Sequence, residues 1–250
     1  MFVLPWHIFD DLQDGLNITL DGDVITVRTQ PAAEGADWVR LVALYEPVAA
    51  AVATAPRAPV VLSGDCLTPL AVLAGVQRCG VDAALVWFDA HGDFHTEATT
   101  QSGYLGGLPL AKAVGRGDMT LPTGLGLVAL AAERAVLVDG RDLDPPEVEA
   151  LSSSAVRHVG LGDVADSLPE GPIHLHVDLD VLDPSVLPGL RFPAAGGADL
   201  ATLGRACSEV SRRRELAAVS IAATWRPDAT QRVRNDAAVA AVLDALPGVA

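Results

Sequence analysis

Two short runs concentrate the reactive side chains of this sequence: Asp89-Ala90-His91-Gly92-Asp93 and Asp178-Leu179-Asp180-Val181-Leu182-Asp183-Pro184. Each follows an apolar stretch of strand length, residues 83–88 and 173–177, so the acids are expected where buried parallel strands leave a sheet. Alternation along an extended chain puts Asp89, His91 and Asp93 on one face, and Asp178 with Asp180 likewise. Carboxylates gathered this closely repel one another unless cations lie between them. The pattern therefore predicts a two-metal hydrolase.

The elements that must position these groups follow a βαβ rhythm. Candidate strands are 60–62, 83–88, 135–138, 173–177 and 217–221, and candidate helices are 68–78, 105–114, 145–151, 199–214 and 235–246. Alternation of this kind predicts an α/β fold: a three-layer arrangement with a parallel sheet and helices on both faces. The 199–214 helix has the clearest end signal, because Arg212, Arg213 and Arg214 crowd the terminus where the helix dipole favours cations. Loops rich in Gly, Thr and Asp (94–107 and 184–197) follow the two acidic runs. In open parallel sheets ligands bind at the carboxyl ends of the strands, where these loops and acids lie.

Composition narrows the function classes. With 250 residues, half of them hydrophobic and a fifth charged, the chain can bury a full core and is expected to form one domain over 1–250. No apolar run reaches the roughly 18 residues of a membrane span. The first eleven residues lack a basic segment ahead of an apolar one, which argues against a secretory signal. A formal charge of −15 with only 17 scattered Lys and Arg argues against nucleic acid. Three cysteines, Cys66, Cys79 and Cys207, show no CxxC spacing and suit a reducing cytoplasm.

Five segments in order resemble the ureohydrolase family of arginases and agmatinases, over roughly residues 60 to 228. The family's DAHxD motif matches 89–93 and its DxDxxDP motif matches 178–184. Its SGN-H-G-P segment is echoed by Ser102-Gly103-Tyr104-Leu105-Gly106-Gly107-Leu108-Pro109, and its RD-DP-E segment by Arg141-Asp142-Leu143-Asp144-Pro145-Pro146-Glu147. Its GGDH motif is matched in part by Ser63-Gly64-Asp65-Cys66, with cysteine in place of histidine.

The resemblance implies an arginase-like fold and two divalent ions. The first would take Cys66, Asp89, Asp93 and Asp180, and the second Asp89, His91, Asp178 and Asp180. A thiolate is a competent ligand, since bound cations deprotonate it. The carboxylate-rich remainder suits two Mn²⁺, while sulfur pulls somewhat toward Zn²⁺. Paired metals lower the pKa of water from about 16 toward about 7, supplying hydroxide to attack a guanidino or amidine carbon. By the same resemblance Asp93 takes up a proton and passes it to the departing amine. His95 matches an asparagine, and Thr100, Ser102 and Asp144 match groups, that hold the α-carboxylate and α-amino ends of an amino-acid substrate. Tyr104 replaces a further asparagine there. His174 and His176 read as core histidines or supports of the ligands, and His7 and His158 carry no discernible signal.

Two departures bear on the substrate. The family's shuttle histidine aligns with Gly106, and a glutamate that binds the cationic guanidinium aligns with Thr224 in Thr224-Trp225-Arg226-Pro227. Losing a general acid or base costs about 10² to 10⁴ in rate. A less basic guanidino group needs neither partner. The combination is similar to the branch of the family that hydrolyses Nω-hydroxy-L-arginine to hydroxyurea and L-ornithine in D-cycloserine biosynthesis, which implies the cytoplasm of an antibiotic producer. The alternatives are another ureohydrolase (arginase, agmatinase or formiminoglutamase-like) and a non-catalytic relative that binds metal or a metabolite. The extended C-terminal segment through which many arginases form trimers is not seen before Ala250, so a monomer is expected.

Overall fold

Among the described residues, ten strands and seven α-helices run in the order β1 (Phe2–Leu4), β2 (Trp6–His7), β3 (Asp10–Asp11), β4 (Ile25–Thr26), α1 (Asp37–Ala53), β5 (Val60–Ser63), α2 (Thr68–Arg78), β6 (Ala84–Asp89), α3 (Pro109–Ala113), α4 (Thr120–Gly124), β7 (Ala135–Asp139), α5 (Pro145–Ser152), β8 (Arg157–Val159), β9 (Ile173–Asp178), α6 (Leu200–Arg213), β10 (Leu216–Ala222) and α7 (Arg232–Asp244). The computed structural model describes residues 1–12, 16, 18, 23–226 and 232–249. Pro227, the last residue of the Thr224-Trp225-Arg226-Pro227 match, lies outside them.

Eight strands form one sheet in the order β4-β1-β5-β10-β9-β6-β7-β8, and every pair is parallel. β2 and β3 form a separate antiparallel hairpin. Register keeps the carboxyl ends of the central strands level: Ala222 pairs with both Ser63 and Asp178, and Asp89 with Asp139. Residues that follow β5, β6, β7, β9 and β10 therefore converge on one edge of the sheet.

Side-chain alternation divides the core into two layers. Leu85 and Trp87 pack with the buried faces of α1 and α2, including Leu41 and Leu70. Val86 and Phe88 point the other way, with Leu203 of α6 and Val242 of α7. Burying a side chain of this size contributes about 1.5–3 kcal/mol. Trp87, Phe88, Leu175 and Ile221 are all fully enclosed beneath the acidic edge. Such burial offsets the cost of holding several carboxylates out of water.

All five sequence-predicted strands form. The predicted helix over 105–114 divides into a 3-10 turn at Leu105–Gly107 and the short α3, because Pro109 cannot donate to a continuous helix and instead starts a new one. α1 has no counterpart in the sequence reading. It contains Pro47 and has no side-chain cap at Ala36. Pro47 leaves the Ala43 carbonyl without its helical partner, and the Thr29 hydroxyl donates to that oxygen at 3.0 Å. Among the described residues, no helix is long and apolar enough to cross a membrane.

Candidate metal centre

Asp89 is the last residue of β6 and Asp178 the last of β9. The chain does not stay extended beyond either, so convergence of the acids comes from turns rather than from strand alternation. After β6 the backbone folds so that the His91 N–H donates to Asp89 Oδ1 at 2.7 Å, and Asp93 takes a left-handed φ of 47°. After β9 a 3-10 turn lets the Asp180 N–H donate to Asp178 Oδ1 at 2.8 Å. The Ala90 N–H then donates to Asp180 Oδ1 at 3.0 Å and joins the two runs.

Cys66 follows β5 at the end of a short segment fixed by Asp65. That buried carboxylate accepts from the Leu67 and Thr68 N–H groups through one oxygen, and from the Ile8 N–H and Tyr45 hydroxyl through the other. The segment cannot move without losing these bonds. It sets the Cys66 thiol 2.8 Å from Asp178 Oδ2, to which it donates.

The ligand-type residues predicted from sequence (Cys66, Asp89, His91, Asp93, Asp178 and Asp180) all line one cavity of about 200 Å³. Their pairing differs from the expected distribution. Cys66 meets Asp178, whereas Asp180 Oδ2 lies 2.9 Å from His91 Nδ1. The reason is the turn after β9, which leaves Asp178 at the strand end, level across β10 with the end of β5, and carries Asp180 toward the Asp89 run. On this geometry Asp178 belongs with the thiol, and Asp180 with the imidazole.

Proton affinities follow from crowding. Burial and the neighbouring Asp89 charge raise Asp93 well above the carboxylate range, and burial with the charges of Asp180 and Asp89 raises Asp178 similarly. Asp180 is pushed up to about 7 by burial and by Asp89. Burial opposes the charged form of Asp89 too, but hydrogen bonds and charge from His91 outweigh it and leave Asp89 low. His91 rises to about 12 because Asp180 and Asp89 outweigh its desolvation. Burial and the charges of Asp178, Asp93 and Asp89 raise the Cys66 thiol.

Asp93 Oδ2 and His176 Nε2 are buried without a hydrogen-bond partner. Ligand atoms of Cys66, Asp89 and His176 lie within 4.8 Å of one another, as do those of Asp89, His91 and Asp180. Unsatisfied buried polar atoms beside two such donor sets are what divalent cations would complete, and the residues fit that group. His176, read as a supporting histidine, packs tilted against Trp87 at 4.0 Å between ring centroids. Its Nδ1 is 3.0 Å from the Ser220 hydroxyl, and burial lowers it to about 3, which keeps the ring neutral.

The other predicted residues are distributed unevenly. His95, Ser102, Tyr104, Asp144 and Thr224 line the cavity. His95 Nε2 is 3.1 Å from Asp144 Oδ2, and Nδ1 is 3.1 Å from the Thr99 hydroxyl. Thr100 does not line the cavity; its hydroxyl accepts from the Gly103 N–H at 3.2 Å and stabilises a local turn. The Thr224 hydroxyl donates to the Gly64 carbonyl at 2.7 Å. This bond braces the end of β10 against the segment carrying Cys66 and leaves the Thr224 oxygen, as an acceptor only, at the cavity wall.

Several lining residues were not singled out from sequence. Glu147 is buried under the cavity, where it accepts from the Phe94 N–H and the Asp144 N–H. Its place in the matched RD-DP-E segment could have flagged it. Leu190 and Phe192 also line the wall, and no local sequence signal marks them.

An arginase-family model matches residues 5–244 of the chain. The N(omega)-hydroxy-L-arginine amidinohydrolase of Streptomyces lavendulae is 35% identical over 190 residues, covering 74% of this chain and 66% of that protein. The arginase of Brevibacillus brevis is 36% identical over 160 residues, covering 58% and 53%. The chain thus spans between about half and two thirds of the length of these curated relatives. Among solved structures, arginase from Bacillus subtilis superposes with a TM-score of 0.82 at 21% identity, covering 99% of this chain and 98% of that one. Arginase from Bacillus caldovelox gives 0.79 at 24%, covering 98% and 95%. With its parallel sheet and the acidic edge at the carboxyl ends of the strands, the chain belongs to the arginase family.

Proposed function

We propose that this protein is a dinuclear-metal amidinohydrolase that converts Nω-hydroxy-L-arginine to hydroxyurea and L-ornithine. The observation that carries the substrate is Thr224. The position that the resemblance gives to a guanidinium-binding glutamate holds a neutral hydroxyl whose proton is already donated to Gly64. A permanent cation finds no counter-charge there, only a neutral oxygen, whereas a hydroxyguanidine, being less basic, needs none. The similarity to the Streptomyces lavendulae enzyme supports the same reading.

Cys66, Asp89, Asp93 and Asp178 would hold one ion, and Asp89, His91, Asp178 and Asp180 the other. Their oxygen-rich set favours Mn²⁺ over Zn²⁺. When bound, such ions activate water at neutral pH. The Asp93 carboxylate, buried and facing the cavity, would take up the proton released by the attacking water and deliver it to the leaving amine. His95 and Asp144 form a hydrogen-bonded pair at the mouth, where the α-amino and α-carboxylate groups of a free amino acid bind.

The test is product analysis of Mn²⁺-loaded protein supplied with Nω-hydroxy-L-arginine, L-arginine or agmatine. Hydroxyurea is expected to be released faster than urea. Equal or faster turnover of L-arginine or agmatine rejects the substrate, and an arginase is then the better reading, as the Brevibacillus brevis similarity would favour. Two bound ions without turnover of any of the three would indicate a non-catalytic relative.

A further inference from the structure

One aromatic ring lining the cavity, that of Tyr104, has an unusual setting. A Cβ added at Gly106 would sit 2.5 Å from Cε1, Cζ and Oη of Tyr104. The phenol therefore occupies the space that any side chain at 106 would need. Phe192 tilts against the ring at 4.7 Å between centroids, and the His7 ring lies nearly parallel to it at 5.9 Å.

His7 comes from the β2–β3 hairpin, 97 residues away in sequence, and its Nε2 is 2.9 Å from the Tyr104 oxygen. Its tautomer is fixed by its other neighbours. Arg191 approaches Nδ1 at 2.9 Å, and a guanidinium can only donate, so Nδ1 must be the unprotonated nitrogen. Asp10 lies farther from Nδ1, at 3.3 Å, and is 3.6 Å from the same Arg191 nitrogen. Burial keeps the ring neutral against the pull of Asp65 and Asp10. Nε2 then carries the hydrogen and donates to the phenol oxygen. Among the described residues Tyr104 Oη has no other hydrogen-bond partner, so its own O–H is left to the cavity. Burial and the nearby Cys66, Asp65, Asp93 and Asp178 keep that phenol protonated.

We propose that Tyr104, oriented by His7, is the specificity-determining donor of the cavity, hydrogen-bonding an oxygen carried by the distal nitrogen of the substrate. The inference rests on the function proposed above and names its selecting group. A guanidinium offers five N–H donors and no acceptor. Set against a fixed O–H donor it leaves that donor unpaired, whereas an Nω-hydroxyl supplies lone pairs. Sites built to hydrogen-bond a substrate hydroxyl discriminate strongly against the analogue lacking it. His7 is a positioning residue in this scheme and does not touch substrate.

The test compares kcat/KM for Nω-hydroxy-L-arginine and L-arginine in Mn²⁺-loaded parent, Tyr104→Phe, His7→Leu and His7→Gln proteins, with bound metal counted for each. Phenylalanine keeps the packing on Gly106 and Phe192 and removes only the donor. The ratio of the two substrates is expected to fall at least tenfold in Tyr104→Phe and severalfold in His7→Leu. Gln places an amide N–H near the former Nε2 and should restore most of the ratio. A parent preference for the hydroxylated substrate that Tyr104→Phe leaves within twofold overturns this inference alone. No parent preference overturns both it and the proposed substrate. Equal losses on both substrates together with lost metal would show a merely structural ring and also overturn it.

Discussion

The cavity has two ends that are built on different principles. At the inner end, Asp89, Asp93, Asp178 and Asp180 are buried at strand termini and tied to backbone N–H groups or enclosed by the core. At the outer end, Asp144 is 60% exposed and Ser102 sits on an exposed loop. The inner end is rigid and electrostatically crowded, which suits ions and proton transfer. The outer end is hydrated and held by a few side-chain contacts, so each of its groups contributes less. On the proposed function, chemistry is placed where the fold cannot relax, and recognition of the amino-acid end where it can.

Substitutions should separate the ends by size of effect. Asp93→Asn is expected to lower kcat by about 10² to 10⁴, as for loss of a general acid or base, and rates with Mn²⁺ in excess check it. Cys66→Ala should lose one of two ions, since a set of four donors falls to three, while Cys66→His keeps more of the second ion. Metal content after dialysis reads both. Unchanged affinity for two ions in Cys66→Ala would remove the thiolate from the donor set.

Metal affinity should also depend on pH, and in one direction. Asp180 sits at about 7 without cations, above its unfolded value, so the ion-free fold binds an extra proton between roughly pH 4 and 7. That proton stabilises the ion-free protein on the acid side, and the contribution is lost as pH rises through 7. Ions displace the proton, so their affinity falls as pH drops below 7, whereas thermal stability of the ion-free protein falls as pH rises toward it. Melting curves with and without Mn²⁺ across this window are expected to diverge with increasing pH.

At the outer end the effects should be smaller. Asp144→Ala removes one charged hydrogen bond, on the order of 1.5–3 kcal/mol, and is expected to raise KM roughly tenfold or more with little change in kcat. Thr100→Ala should change KM less than about twofold, because a lost turn contact at the surface falls within about 0.5 kcal/mol. If Thr100→Ala matched Asp144→Ala, the assignment of Thr100 to a local turn would fail.

The same division explains what could be read from the sequence. The inner end was legible because acids at fixed spacing follow apolar runs long enough to be buried strands. Even there the pairing of Asp178 with Cys66 required the turn after β9, which spacing does not reveal. Thr224 lines the cavity as expected and Thr100 does not, and neither hydroxyl's partner was legible, because it depends on backbone brought together from 160 residues away or by a local turn. His7 left no mark because its role arises from a two-residue strand in a hairpin that meets Tyr104 only in the folded chain. β1, β4 and β8 are two or three residues long, too short for periodicity to register. α1 was obscured by Pro47, whose cost is met by Thr29.

Arg141 gives the rim of the cavity a particular mechanical character. Its guanidinium pairs with Asp139 and donates to the carbonyls of Asp180, Ala194 and Ala195, so one cation spans the acidic turn and the far side of the 183–197 segment. Backbone bonds from Arg191 to Thr224 and from Arg226 to Gly189 stitch the same segment to the end of β10. A wall fastened at so many points does not swing aside like a flap. A molecule entering the cavity that Tyr104 and Phe192 line would meet a mould already set, with little entropic cost for ordering that wall.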